Sequence, residues 1–190
     1  LGDVYKRQLT YKVNGDCYLY GSLVPAEGVK DLKIDVPKDQ SLTAFTGAKL
    51  SGYITVTGEG KIDLSQAQNP QNIGEDISAD KTYGQLEDVT IVDTLNIRNN
   101  ATVTILGGFN VNEGVTLTIE GGSELIIDSA VASMIVDGKI VVEEGAKLTV
   151  KNAKDVKISG TLESEGIVNI KSTVTVKTDG KILADETETA

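Results

Sequence analysis

The tightest constraint on this chain is a repeat that returns every 20–23 residues through its C-terminal half. The triplets Gly138-Lys139-Ile140, Gly160-Thr161-Leu162 and Gly180-Lys181-Ile182 follow one another at steps of 22 and 20 residues. Each unit holds three short segments, such as KIVV, KLTV and VKI, separated by Gly, Asp, Asn or charged residues of the kind that turns require. Within a segment the apolar residues fall two apart, which is the period of a strand with one buried face. Aligned segments give columns: Leu95, Leu117, Ile140, Leu162, Ile182, with Ile97, Ile119, Val142, Ser164, Ala184 beside them. A second face gives Val103, Leu125, Leu148, Val168 and Ile105, Ile127, Val150, Ile170. A third gives Phe109, Met134, Val156, Val174, beside Val89 and Ile91 of the preceding unit, with a companion column Val111, Val136, Ile158, Val176. One step lengthens to 25 where Asp128-Ser129-Ala130 adds a longer corner.

A rung of three such segments cannot bury its own inward face, so it must stack on another. Stacking at ~4.8 Å pairs each strand in parallel with its copy and sets like residues over like. The expectation is an all-β parallel β-helix, right-handed, with three-strand rungs. Ser164 interrupts its column, which fits either a prism that narrows toward its end or a local slip in the alignment. An antiparallel sandwich is the competing reading, because Asn14-Gly15, Asp137-Gly138 and Asp179-Gly180 are hairpin-type dipeptides. Whole three-segment units at near-constant spacing favour the solenoid.

The organisation expected is an extraneous stretch at 1–8, irregular β rungs over 9–64, a protruding loop over 65–85, the regular β-helix over 86–184 and an acidic tail over 185–190. In 9–64 the segments LKIDV, SLTAF, YITV and KIDL have strand composition. Ile34 to Val56 is 22 residues and Thr43 to Asp63 is 20, but no clean column emerges and Pro25 and Pro37 punctuate the region. The 65–85 stretch is polar, carries Asn69-Pro70 and two glycines, and reads as a loop expelled from a corner. At the start, Asp3-Val4-Tyr5-Lys6-Arg7-Gln8 resembles the in-frame translation of a sequencing-library adapter, a scar of the kind a metagenomic fragment carries. The natural chain is then expected to begin upstream of Leu9, with a signal peptide lost.

Several chemistries lack their parts. The chain has no His and one Cys, so Ser-His-Asp and Cys-His arrangements and zinc sites cannot be assembled from it. Cys17 reads as a small hydrophobe. A net charge of −10 disfavours nucleic acid and anionic lipid as partners, and no apolar run reaches the ~18 residues of a membrane span. Glu75, Asp76 and Asp80 are candidate oxygen ligands for calcium, but hydration is the plainer fate of acids in a polar stretch. Glu143-Glu144 and the Glu163, Glu165 pair lie at corners, where acids solubilise; glycoside hydrolysis needs two acids across one sugar-sized gap. No catalytic residue, metal ligand or cofactor is assigned. Outside 1–8 the tyrosines are Tyr11, Tyr18, Tyr20, Tyr53 and Tyr83, all before residue 84. A binding surface, if the chain has one, is expected among them and the 65–85 stretch.

The three-strand rungs and Thr/Val/Gly-rich columns resemble the parallel β-helix modules of prokaryotic cell-surface and adhesin-like proteins. The likeness covers 86–184 well and 28–64 weakly. It implies a secreted, extracellular or cell-surface location, a non-catalytic structural or adhesive role within a larger exported protein, further rungs upstream, and surface glycans or other surface proteins as partners. The polysaccharide lyases and hydrolases that share such a fold carry clustered Asp, Arg or Lys along a groove. This chain has a single Arg outside 1–8, Arg98, which counts against an enzyme. A carbohydrate-binding or polysaccharide-cleaving β-helix that uses the N-terminal tyrosines and the 65–85 stretch is the alternative.

Overall fold

A computed structural model describes residues 7–184 apart from 27–28, 68 and 131. Among them there is no helix, and the chain folds as a parallel β-solenoid of about eight turns built from three-strand rungs. Every strand pairing found is parallel, so the sandwich alternative is overturned. The hairpin-type dipeptides instead turn corners between strands of one rung. The chain divides into two compact units, residues 1–70 with 82–88, and 71–81 with 89–190.

In the first unit, β1 (Arg7–Lys12), β2 (Asp16–Leu19) and β3 (Ser22–Leu23) form one rung, and β4 (Val29–Asp35), β5 (Ser41–Ala44) and β6 (Lys49–Leu50) the next. They are followed by β7 (Ile54–Thr57) and β8 (Lys61–Asp63). The sheets run β1-β4-β7, β2-β5-β8 and β3-β6. Columns exist here after all: Leu9, Leu32, Ile54; Tyr11, Ile34, Val56; Cys17, Leu42, Ile62; and Leu23, Leu50. The spacings of Ile34 to Val56 and Thr43 to Asp63 are true register pairs. Val36, Leu42, Ala44, Leu50 and Ile54 are among its buried core. Of the adapter-like stretch, residues 1–6 lie outside the described residues, while Arg7 and Gln8 pair with Val29 and Asp31 across a bulge.

The second unit begins earlier than expected. β9 (Gln71–Ile73) pairs with β11 (Val89–Ile91), and Ile77 bridges to Ile97. With β10 (Lys81–Tyr83), of which Thr82 and Tyr83 fall in the first unit, the expected loop of 65–85 is corrected to strand-bearing chain. Its strands are three residues long with one or two apolar positions each, too few for alternation to show.

Three sheets then repeat. Onto β9 and β11 stack β14 (Phe109–Val111), β17 (Met134–Val136), β20 (Val156–Ile158) and β23 (Val174–Val176). A second sheet holds β12 (Leu95–Ile97), β15 (Thr116–Ile119), β18 (Lys139–Val142), β21 (Thr161–Ser164) and β24 (Lys181–Ala184). The third includes β13 (Thr102–Ile105), β16 (Glu124–Ser129), β19 (Lys147–Ala153) and β22 (Ile167–Ile170). Every column read from the sequence is a register column: Leu95 faces Leu117, Leu117 faces Ile140, Ile140 faces Leu162, and Leu162 faces Ile182. Ser164 pairs in step with Val142 and Ala184, so its place reflects no slip; its Oγ donates to the Gly166 carbonyl at 3.0 Å. Asp128 and Ser129 are drawn into strand β16, which pairs with β19 across a register shift after Ile127.

The repeated Gly at each strand start has a steric cause. A Cβ on Gly160 would collide with the carbonyl oxygens of Gly138 and Asp137 in the rung beside it. Close rung approach at that corner leaves room for hydrogen alone.

Candidate functional site

The five tyrosines do not form one surface. Tyr83 is buried, and its hydroxyl pKa is raised by desolvation and secondarily by Glu87. Tyr53 is half-buried, and its carbonyl accepts from Leu32 N–H. Tyr11 occupies an inward core row beside Ile34, and is 58% exposed at the edge strand β1. It lines a cavity of about 390 Å³ with Val13, Cys17, Leu19, Leu23 and Leu32. This cavity is the open end of the first unit's core.

Tyr18 and Tyr20 point outward from the sheet β2-β5-β8, and there they meet a ring that the tyrosine pattern alone did not include. Strand β5 alternates Leu42 and Ala44 inward with Ser41 and Thr43 outward, and Phe45 continues the outward set. Phe45 stacks on Tyr20 with ring centroids 4.7 Å apart and planes at 11°, and lies 6.0 Å from Tyr18 at a tilt of 50°. The 4.7 Å separation is the rung spacing itself, so the stack follows from parallel pairing of adjacent rungs. Strand periodicity applied to SLTAF was the signal that would have placed Phe45 outward.

Polar groups share this face. Register sets Asp16, Ser41 and Lys61 in one outward row, and Tyr18, Thr43 and Asp63 in the next. Ser41 Oγ donates to Asp16 Oδ1 at 2.6 Å. Ser65 Oγ donates to Asp63 Oδ1 at 2.6 Å and Ser65 N–H does so at 3.1 Å. These two bonds, with a smaller contribution from Lys61, hold the Asp63 pKa below the ordinary carboxylate value.

Of the three acids considered as calcium ligands, Glu75 is exposed and the other two have other work. Asp76 Oδ1 accepts from Asn96 N–H at 2.8 Å, and its Oδ2 pairs with Arg98 Nε at 3.1 Å. Asp80 Oδ1 accepts from Thr102 N–H at 2.8 Å. Each carboxylate thus caps a backbone donor of the following rung. Among the described residues no group of three or more His, Cys, Asp or Glu side chains is placed to hold a metal ion. Glu163, expected at a corner, lies within strand β21 and pairs with Lys139 of β18 at 2.7 Å, while Glu143, Glu144 and Glu165 are solvent-exposed.

Comparison of the chain with protein-family models, with curated proteins and with solved structures returns no match.

Proposed function

We propose that this chain is a non-catalytic structural or adhesive β-solenoid segment of a larger exported cell-surface protein. The observation that carries the reading is the in-register stacking of whole rungs. The column Leu95, Leu117, Ile140, Leu162 is continuous from β12 to β21 in one sheet, and its members are at most 2% exposed. Such an array gains its stability from nearest-neighbour rungs, so length is added without redesigning a core. Its outward positions are free to vary, which suits a scaffold that displays a surface. Asp76 and Asp80 serve as backbone caps and Glu163 as one side of a rung-to-rung ion pair, which favours scaffold over hydrolase. No helix among the described residues is long and apolar enough to cross a membrane.

The test is exposure on cells expressing the full gene. Antibody against residues 86–184 is expected to label intact cells, and external protease to remove the epitope. An epitope reached only after lysis would overturn the surface assignment. Turnover of a polysaccharide by the purified chain would overturn the non-catalytic one.

A further inference from the structure

We infer that residues 71–81 form a releasable strap, which opens from the second unit as one piece while the rungs from Val89 onward stay folded. The inference goes beyond the scaffold role and rests only on how this segment is held.

The chain enters the second unit at Gln71, returns to the first at Thr82 and comes back at Val89. Residues 71–81 are therefore an excursion anchored at both ends outside the unit they pack on. A segment anchored in this way lifts off without unravelling any other rung.

Packing holds it weakly. Not one of its eleven residues is buried, and its two isoleucines, Ile73 and Ile77, are partly exposed. The rung it lies on buries Val89, Ile91, Leu95, Ile97 and Val103 to 2% exposure or less. Ordering a residue costs conformational entropy wherever it sits, and buried apolar area is what offsets that cost. The strap orders eleven residues with little of that area.

Its ties are polar instead. β9 gives three register pairs with β11, and Ile77 gives one bridge, in which its N–H donates to the Asn96 carbonyl and its carbonyl accepts from Arg98 N–H, each at 2.9 Å. Two carboxylates fasten the rest. Asp76 accepts from Asn96 N–H and meets Arg98 Nε, and Asp80 accepts from Thr102 N–H. Charge strengthens such bonds. The Asp76 and Arg98 side chains are nevertheless 34% and 46% exposed, where water competes and an ion pair contributes little. Few buried contacts and solvent-facing hydrogen bonds set a segment at the low end of local stability. Opening bares the edges of β11 and β12, whose backbone groups are then free to pair with another strand. The segment works as a latch, with Asp76 and Asp80 as its two catches.

The experiment is native-state hydrogen exchange of the intact chain, read amide by amide by NMR and corrected for intrinsic rates. Val92, Asn96, Arg98 and Thr102 donate to acceptors within the strap, whereas Asn112, Glu120 and Glu124 donate to carbonyls of the rung above it. The first four are expected to share one opening equilibrium and to exchange about 100-fold faster than the other three. Asp76→Ala and Asp80→Ala are each expected to speed all four by about tenfold, Val92 included, and to leave the other three unchanged. The inference is overturned if the four amides are as slow as the three, if Asp80→Ala speeds Thr102 alone, or if all seven speed up together and the unit opens as a whole. The parent comparison decides by itself should a variant fail to fold. A lysis-only epitope would leave the strap standing, and slow exchange would leave the surface reading standing, so the two proposals fail separately.

Discussion

Ile140 and Ile182 belong to one column of one sheet and differ only in what lies beyond them. Ile140 sits between Leu117 and Leu162 and is 0% exposed, whereas Ile182 lies on the edge strand β24 and is 50% exposed. Truncation to Ala removes three carbons, which at about 0.8 kcal/mol per buried methylene is about 2.4 kcal/mol for Ile140. The rungs on both sides are held at fixed spacing by ladder hydrogen bonds, so the site collapses only partly. If about half of the ~80 Å³ vacated persists, the void adds about 1 kcal/mol at about 24 cal/mol per Å³. Ile140→Ala is therefore expected to cost about 3–3.5 kcal/mol. Ile182→Ala forfeits about half the transfer free energy and leaves no enclosed void, so it costs about 1 kcal/mol. Urea unfolding followed by far-ultraviolet circular dichroism measures both, with an unchanged m-value as the check that the midpoint shift reports stability. Equal costs for the two variants, or less than about 1.5 kcal/mol for Ile140→Ala, would refute the claim that aliphatic stacking between rungs holds the solenoid together.

Gly160→Ala drives a methyl group into two carbonyl oxygens of the neighbouring rung and is expected to cost about 1–3 kcal/mol, while Gly21→Ala, with nothing within 4 Å of its Cβ, changes stability little; parallel thermal melts compare them. Asp80→Ala leaves Thr102 N–H without its acceptor and is expected to cost about 1 kcal/mol, with millimolar calcium leaving the melting temperature of both proteins unchanged; a calcium-dependent rise in the parent alone would make Asp80 a metal ligand instead. The Asp63 carboxyl titrates below its ordinary value in the folded chain, so the stability it contributes is present above the unfolded carboxylate pKa and is lost as pH falls through the folded one. Ser65→Ala is expected to move the Asp63 midpoint upward in a carbon-detected NMR titration, and an unmoved midpoint would mean that the serine is not its cause.

The regular part of the fold was legible because its signal is redundant. From Leu95 onward each rung repeats the same inward pairs at nearly the same spacing, and an alignment by eye recovers the true register. The first unit has equally real columns, but Leu23 to Leu50 is 27 residues while Leu42 to Ile62 is 20, and Cys17 shares a column with Leu42. Corners of unequal length blur any fixed-period search. Parallel pairing locks strands locally and does not require the corners between them to match. Residues 71–83 failed for a related reason, since Ile77 contributes a single bridge and the strands around it are three residues long.

The candidate surface was half legible. Sequence treated the five tyrosines outside 1–8, all of them before residue 84, as one group. Stacking divided them: Tyr83 into the core, Tyr11 into a core row, Tyr18 and Tyr20 outward against Phe45. By itself the sequence determined the strand period, the rung length and the identity of the buried columns, because those follow from which residues avoid water along a single strand. Only the tertiary structure decided which outward side chains meet, since Tyr20 and Phe45 are brought together by the register between rungs, and register is a property of two strands and not of either one.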